Sequence, residues 1–213
     1  MARELVASRA ENEAIKQEME RDPSVIILGE DIAGAAGRAD QGFIDAWGGP
    51  MGSTKGLIQQ FGPERVLDTP ICEMSFIGAA VGAALTGLRP IAELMFINFI
   101  GVSLDSVMNE GAFLRYMLGG QVKVPMVVKT NMGIVAMNPH NGGGTAAQHS
   151  GSMYAIFAHI PGIKVVAPSD AYTAKGLLIA AIRDDNPVIY LSHRRVGTLR
   201  MDVPEESYAL PIG

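Results

Sequence analysis

The sequence predicts an α/β fold built on a doubly wound, mainly parallel sheet with helices on both faces. Three observations carry that expectation. Six short apolar runs recur along the chain, stretches with helical periodicity lie between them, and the runs lack strict polar alternation, as strands covered on both faces do.

The elements follow in order. Apolar periodicity predicts a helix over 5–20, stopped by Asp22-Pro23, and a buried strand over 25–28. A long Gly- and Ala-rich connection over 31–55 precedes a strand at 65–67, and connections of that length are usually functional or contact a partner. A helix made largely of Gly and Ala covers 78–87, followed by a strand at 90–95. Leu104, Val107, Met108, Gly111, Leu114 and Leu118 keep the spacing of one helical face, and a strand follows at 124–129. The stretch 130–147 contains Asn141 and Gly142-Gly143-Gly144, which suits a mobile active-site loop; without a following Lys-Ser/Thr or a GxGxxG pattern it does not specify a phosphate cradle. A strand at 163–167, a helix capped by Ser169-Asp170 that runs through Ala180 and Ala181, and a strand at 187–191 complete the pattern.

Composition narrows the function. With 48% hydrophobic and 18% charged residues among 213, the chain can bury one core of ordinary domain size. A net charge of −5 with scattered basic residues argues against nucleic acid. Cys72 is the single cysteine, so no internal disulfide framework exists, and the charged N-terminal segment lacks the apolar centre of a signal peptide. No apolar run approaches the ~20 residues that span a bilayer, and a cytoplasmic setting is expected.

Ligands of such sheets bind beyond the carboxyl ends of the strands, which singles out Glu73, Phe99 and His149. Glu73 sits among Pro70, Ile71, Met74 and Phe76, which would desolvate a carboxylate and raise its pKa, suiting it to share a proton. The plainer alternative is a favourable charge at the positive end of a helix. His149, after the glycine loop, is either functional or a structural hydrogen-bonder, and Phe99 alone is a core residue. His140, His159 and His193 have no partners at metal-ligand spacing, and Cys72 lacks the surroundings of a thiol nucleophile.

Several segments, in order, carry a resemblance. Leu28-Gly29-Glu30-Asp31, Thr69-Pro70-Ile71-Cys72-Glu73, Gly87-Leu88-Arg89-Pro90, Arg115-Tyr116-Met117, Ala146-Ala147-Gln148-His149-Ser150 and Ala181-Ile182-Arg183-Asp184-Asp185-Asn186-Pro187 resemble the beta subunit of thiamine diphosphate-dependent 2-oxoacid dehydrogenases. Ala92-Glu93-Leu94-Met95-Phe96, with Phe99-Ile100-Gly101, looks most like the acetoin dehydrogenase branch, pyruvate dehydrogenase being the close second.

The resemblance implies a role for each matching residue. Glu73 matches the glutamate that hydrogen-bonds N1′ of the aminopyrimidine, so that the cofactor's own exocyclic nitrogen becomes the base at thiazolium C2. Phe99 matches the aromatic packed on the aminopyrimidine, with Ile71 and Met95 lining the same slot. His149 matches a histidine that assists later proton- or acyl-transfer steps. Backbone oxygens around Met126, Ala181, Asp184 and Asn186 match a potassium site. The Gly-Asp-Gly signature that ligates Mg²⁺ and diphosphate is missing, which implies an alpha subunit holding that half, a second beta chain and a lipoyl acyltransferase component.

Two departures stand out. Residues 1–195 read as the pyrimidine-binding domain and 196–213 as a connector toward a C-terminal domain absent from this chain. The stretch 133–144 is longer than usual, and Gly151 stands where Gln is common. The leading expectation is a subunit that cleaves acetoin or oxidatively decarboxylates a 2-oxoacid such as pyruvate, passing the acyl group to a lipoyl carrier. Its alternatives are a truncated, non-catalytic module that only binds the alpha subunit, and a small nucleotide-binding oxidoreductase, for which no dinucleotide fingerprint is present.

Overall fold

A computed structural model describes residues 3–33, 48–134 and 145–213. The run Asn141 to Gly144, His140 and most of the 31–55 connection lie outside the described residues. The central sheet has six strands, all parallel: β2 (Val25–Glu30), β3 (Val66–Thr69), β4 (Arg89–Phe96), β5 (Val127–Met132), β6 (Lys164–Val166) and β7 (Val188–His193). They lie in the order β3-β2-β4-β5-β7-β6, so the winding reverses beside β2, and strand ends around such a reversal leave a crevice.

Successive residues on each central strand enter opposite cores. Ile27, Ile91, Val127 and Val188 pack under α1 (Ala7–Arg21) and α6 (Ala171–Arg183). Their neighbours Leu28, Ala92, Val128 and Ile189 pack under α3 (Glu73–Leu85). Two buried faces explain why these strands read as continuous apolar runs. The short helices α2 (Leu57–Phe61), α4 (Leu114–Met117) and α5 (Ala155–Ala158) fill connections.

Three places differ from the sequence reading. The first helix begins only at Ala7, because Glu4–Val6 forms β1, paired antiparallel with β8 (Arg200–Asp202). That pairing is a contact between the two ends of the chain, invisible to local periodicity. The helical face expected over 104–118, entered from a 3₁₀ segment, Ile97–Ser103, is broken into a π-helical turn, Ser106–Ala112, and α4. In the wider turn Phe113 N donates to Met108 O at 3.1 Å, and Val107, Gly111 and Ala112 are buried. Finally, the stretch 196–213 is laid against the domain. Lys175 Nζ, fully buried, reaches Glu13 Oε1 at 2.6 Å and the carbonyls of Pro204, Glu205 and Glu206 at 2.6, 3.0 and 2.9 Å.

The helix start expected at Ser169-Asp170 is a capping box. Asp170 Oδ1 accepts from Thr173 N at 2.7 Å, while Thr173 Oγ1 accepts from Asp170 N at 3.1 Å. Burial pushes the Asp170 carboxyl up, but hydrogen bonds from Thr173 and Ser169 outweigh it and hold it below its ordinary value. Asp170→Ala is expected to cost about 1 kcal/mol in denaturant unfolding at pH 7. Because the folded pKa is depressed, this contribution is present above the unfolded value near ~4 and fades as pH falls through the folded one, so the two proteins should converge in acid. A constant difference down to the acid transition would refute the charged-cap account.

Candidate active site

The strand ends bring an aromatic cluster together. A register shift in β4 between Leu94 and Phe96 is braced by Asn131 Nδ2, which donates to Met95 O at 3.0 Å. It delivers Phe96 beneath the 3₁₀ segment that carries Phe99. Phe96, Phe99 and His149 meet edge to face, with centroid separations of 5.8 Å between the phenyl rings and 4.9 and 5.3 Å from each to the imidazole.

His149 ends the 3₁₀ turn Ala147–His149, entered through Ala146 at φ 63, a region where a Cβ is strained. The turn is held from two sides. Arg194 Nη1 donates to Thr145 Oγ1 at 2.6 Å and to His149 O at 3.3 Å, its guanidinium lying 5.3 Å from the Phe96 ring centroid. Asn98 contacts the other side. His149 Nδ1 is buried and has no hydrogen-bond partner among the described residues.

Glu73 is the first residue of α3, in the favourable field of the helix start. Its carboxylate accepts no hydrogen bond from a described residue. Nearby Glu30, at the end of β2, is pushed above its ordinary carboxyl range by burial and by the charges of Asp31 and Glu73. The desolvating shell expected around Glu73 does not form among the described residues: Ile71 is 77% and Met74 57% exposed, Pro70 is exposed, and of these four only Phe76 is buried. Those side chains point outward because the 70–72 link crosses the sheet edge, where nothing from the described chain covers it. Met95 is half-buried at the register shift; Ile71 closes no wall with it.

Met126, Ala181, Asp184 and Asn186 gather at the opposite end of the sheet, before β5 and β7 and at the end of α6. Their side-chain oxygens are occupied, Asp184 by Lys164 Nζ at 2.5 Å and by Asn186, and Asn186 Oδ1 by Arg115 at 2.5 Å. Main-chain oxygens there already accept once, Met126 O from Val188 N at 2.9 Å and Ala181 O from Asp184 N at 3.2 Å. A cation held there would use remaining carbonyl lone pairs and could only brace the fold, since Glu73 lies beyond the other strand ends. Among the described residues, no group of three or more His, Cys, Asp or Glu could hold a metal.

On the other face of the same strand ends lies a buried charge cluster that the sequence reading missed. Lys129 Nζ donates to Glu93 Oε1 and Ser53 Oγ, both at 3.1 Å, and lies 3.3 Å from Glu11 Oε2. Glu11 Oε1 in turn accepts from Tyr190 at 3.2 Å and Ser192 at 2.5 Å. Burial alone would lower the ammonium's pKa, yet two carboxylates raise it; Glu93 is pushed up by burial, against the pull of Lys129. The available signal was a Glu and a Lys inside strands apolar on both faces.

The fold and these strand ends define a doubly wound α/β domain in which a helix-start carboxylate and a buried imidazole nitrogen have no hydrogen-bond partner among the described residues, the imidazole lying edge to face with two phenyl rings. The chain belongs to the transketolase pyrimidine-binding domain family, "Transketolase, pyrimidine binding domain", which matches residues 3–198. It is 54% identical over its full length to the acetoin:2,6-dichlorophenolindophenol oxidoreductase subunit beta of Cupriavidus necator, spanning 60% of that protein. It is 41% identical over 99% of its length to the pyruvate dehydrogenase E1 component subunit beta of Rickettsia felis, spanning 59%. A solved "Split gene transketolase, inactive beta4 tetramer" shares the fold, with TM-score 0.64 and 18% identity over 90% of this chain and 52% of that one.

The residues present fit a thiamine-type aminopyrimidine. Such a ring calls for a carboxyl group that can share a proton with its nitrogen and for an aromatic face, residue types that Glu73 and Phe99 supply.

Proposed function

We propose that this chain is the pyrimidine-holding half of a thiamine diphosphate-dependent dehydrogenase of the acetoin type, working with an alpha subunit that binds diphosphate and Mg²⁺. The observation that carries the proposal is the Glu73 carboxylate at the start of α3, without a hydrogen-bond partner among the described residues. When bound, the cofactor supplies a nucleophilic carbon that opens a carbon–carbon bond next to a carbonyl.

This chain's residues supply the setting. Glu73 accepts a hydrogen bond at the ring nitrogen and takes up or returns its proton. Phe99 packs on the ring, Met95 flanks it, and His149 offers Nδ1 to the later proton- or acyl-transfer step. Ile71 and Met74 flank Glu73 and are exposed, so a partner chain seated there would remove water from the carboxylate. Acetoin is favoured over pyruvate by the higher identity to the acetoin-oxidoreductase relative, and pyruvate or another 2-oxoacid is the neighbouring alternative. The acyl group passes to a lipoyl carrier on an acyltransferase, a second beta chain completes the assembly, and potassium at the Met126 and Ala181 oxygens braces it. No helix of the described residues is long and apolar enough to cross a membrane, which accords with the cytoplasmic setting we assign.

The test is to combine the chain with an alpha-type subunit, thiamine diphosphate and Mg²⁺, and to measure acylation of a lipoyl domain with acetoin, pyruvate and a branched 2-oxoacid. Turnover is expected, highest with acetoin. No turnover with any of the three would overturn the proposal.

A further inference from the structure

The side chain of Asn98 bridges both ends of the turn that carries His149. Its Oδ1 accepts from Gly151 N at 2.9 Å, and its Nδ2 donates to Ala147 O at 3.3 Å. Resting on the reading that His149 serves the reaction, we propose that Asn98 is a positioning residue for His149, and that the bare backbone at Gly151 is what admits it.

Three observations support this. A Cβ at Gly151 would lie 2.7 Å from both terminal atoms of the Asn98 amide, so a side chain at 151 and the clasp exclude each other. The turn needs holding, since it is one short 3₁₀ turn entered through the strained Ala146. Asn98 also precedes Phe99 in the same 3₁₀ segment, so a single element fixes the aromatic and, through the clasp, the imidazole packed against it at 5.3 Å. Gly151 N is fastened by Asn98 while Gly151 O accepts from Gly133 N at 2.8 Å, tying the turn to the end of β5 as well.

Freed of the clasp, the turn keeps its Arg194 and Thr145 contacts and the Gly133 tie beyond it, but nothing fastens both of its ends to the segment that carries Phe99, and the imidazole loses its fixed distance from the ring slot. Displacement of a catalytic group by about 1 Å is enough to cost up to about 10²-fold in rate.

The test uses the full chain in complex with its alpha partner. Asn98→Ala is expected to lower kcat about tenfold, the scale of one or two lost positioning hydrogen bonds, with little change in KM. The same substitution in a His149→Ala background should cost almost nothing more, because Asn98 acts through His149. Asn98→Asp, which keeps the acceptor for Gly151 N, should recover part of the loss. Gly151→Ala should reproduce the Asn98→Ala defect, and the double variant should be no worse than either. Independently of turnover, hydrogen exchange at the Gly151 amide should accelerate in Asn98→Ala. Unchanged exchange would overturn the clasp. Faster exchange with a kcat loss undiminished in the His149→Ala background would overturn the positioning role. Full turnover by His149→Ala alone would instead overturn the role given to His149, and exchange would then decide the clasp by itself.

Discussion

Glu73→Gln, tested in the complex with an alpha subunit, thiamine diphosphate and Mg²⁺, is expected to lose about 10²–10⁴-fold in kcat, the range of a lost proton-sharing group. Glutamine keeps the length and shape of the side chain but cannot take up and return a proton as a carboxylate does. Cofactor affinity should change much less than turnover, because the amide NH2 can still donate a hydrogen bond to the unprotonated ring nitrogen. Folding should be nearly untouched: the carboxylate bonds to no described residue, and the lost helix-start charge is worth about 0.3–1 kcal/mol. Steady-state kinetics and thermal unfolding of the same preparations separate these effects. Turnover within twofold of the parent would remove Glu73 from the chemistry.

Lys129→Met is expected to be the most damaging single change to stability. Glu11 and Glu93, each 3% exposed, share this fully buried ammonium, and removing one partner of a buried ion cluster costs about 3–5 kcal/mol. At about 2–4 °C per kcal/mol for a chain of this size, Tm should fall by roughly 6–20 °C. The pH dependence carries a signature. Without Lys129 the buried Glu93 carboxyl loses the counter-charge that opposes its desolvation and its folded pKa rises further, so the folded variant binds more protons than the unfolded chain. Its stability is then highest below the unfolded value near ~4.3 and is lost as pH rises through the raised folded value. The deficit relative to the parent should therefore shrink on acidification from pH 7 to 5, in denaturant midpoints measured at each pH. Adding Glu11→Gln and Glu93→Gln should recover part of the loss. A deficit below about 1 kcal/mol would show that the cluster is not held together by its charges.

Local patterns in the sequence were enough to place the strands. Each of the six apolar runs became a strand of the parallel sheet, because a strand buried on both faces is apolar at most of its positions, and that is a local property. The α6 start was equally legible, since Asp170 and Thr173 complete a capping box within four residues. Glu73 and His149 stood out through motif resemblance and their positions after strands.

What failed to show locally involved partners distant in sequence. β1 exists only because residues 4–6 find residues 200–202. The π-helical turn at Ser106–Ala112 arises from packing against α3, which overrode the helical spacing of Leu104 to Leu118. Asn98 and Arg194 carried no signal, being ordinary polar residues until folding set them against the His149 turn.

The sequence by itself thus determined the parallel α/β architecture, the family and the candidate carboxylate, because periodicity, caps and motifs are written over short spans. Only the tertiary structure decided that Glu73 pairs with no described residue and has exposed apolar flanks, that Lys129 is buried between Glu11 and Glu93, and that Asn98 holds the turn of His149. Each of those depends on distances between side chains far apart in sequence, and such distances are set when the sheet and its covering helices close.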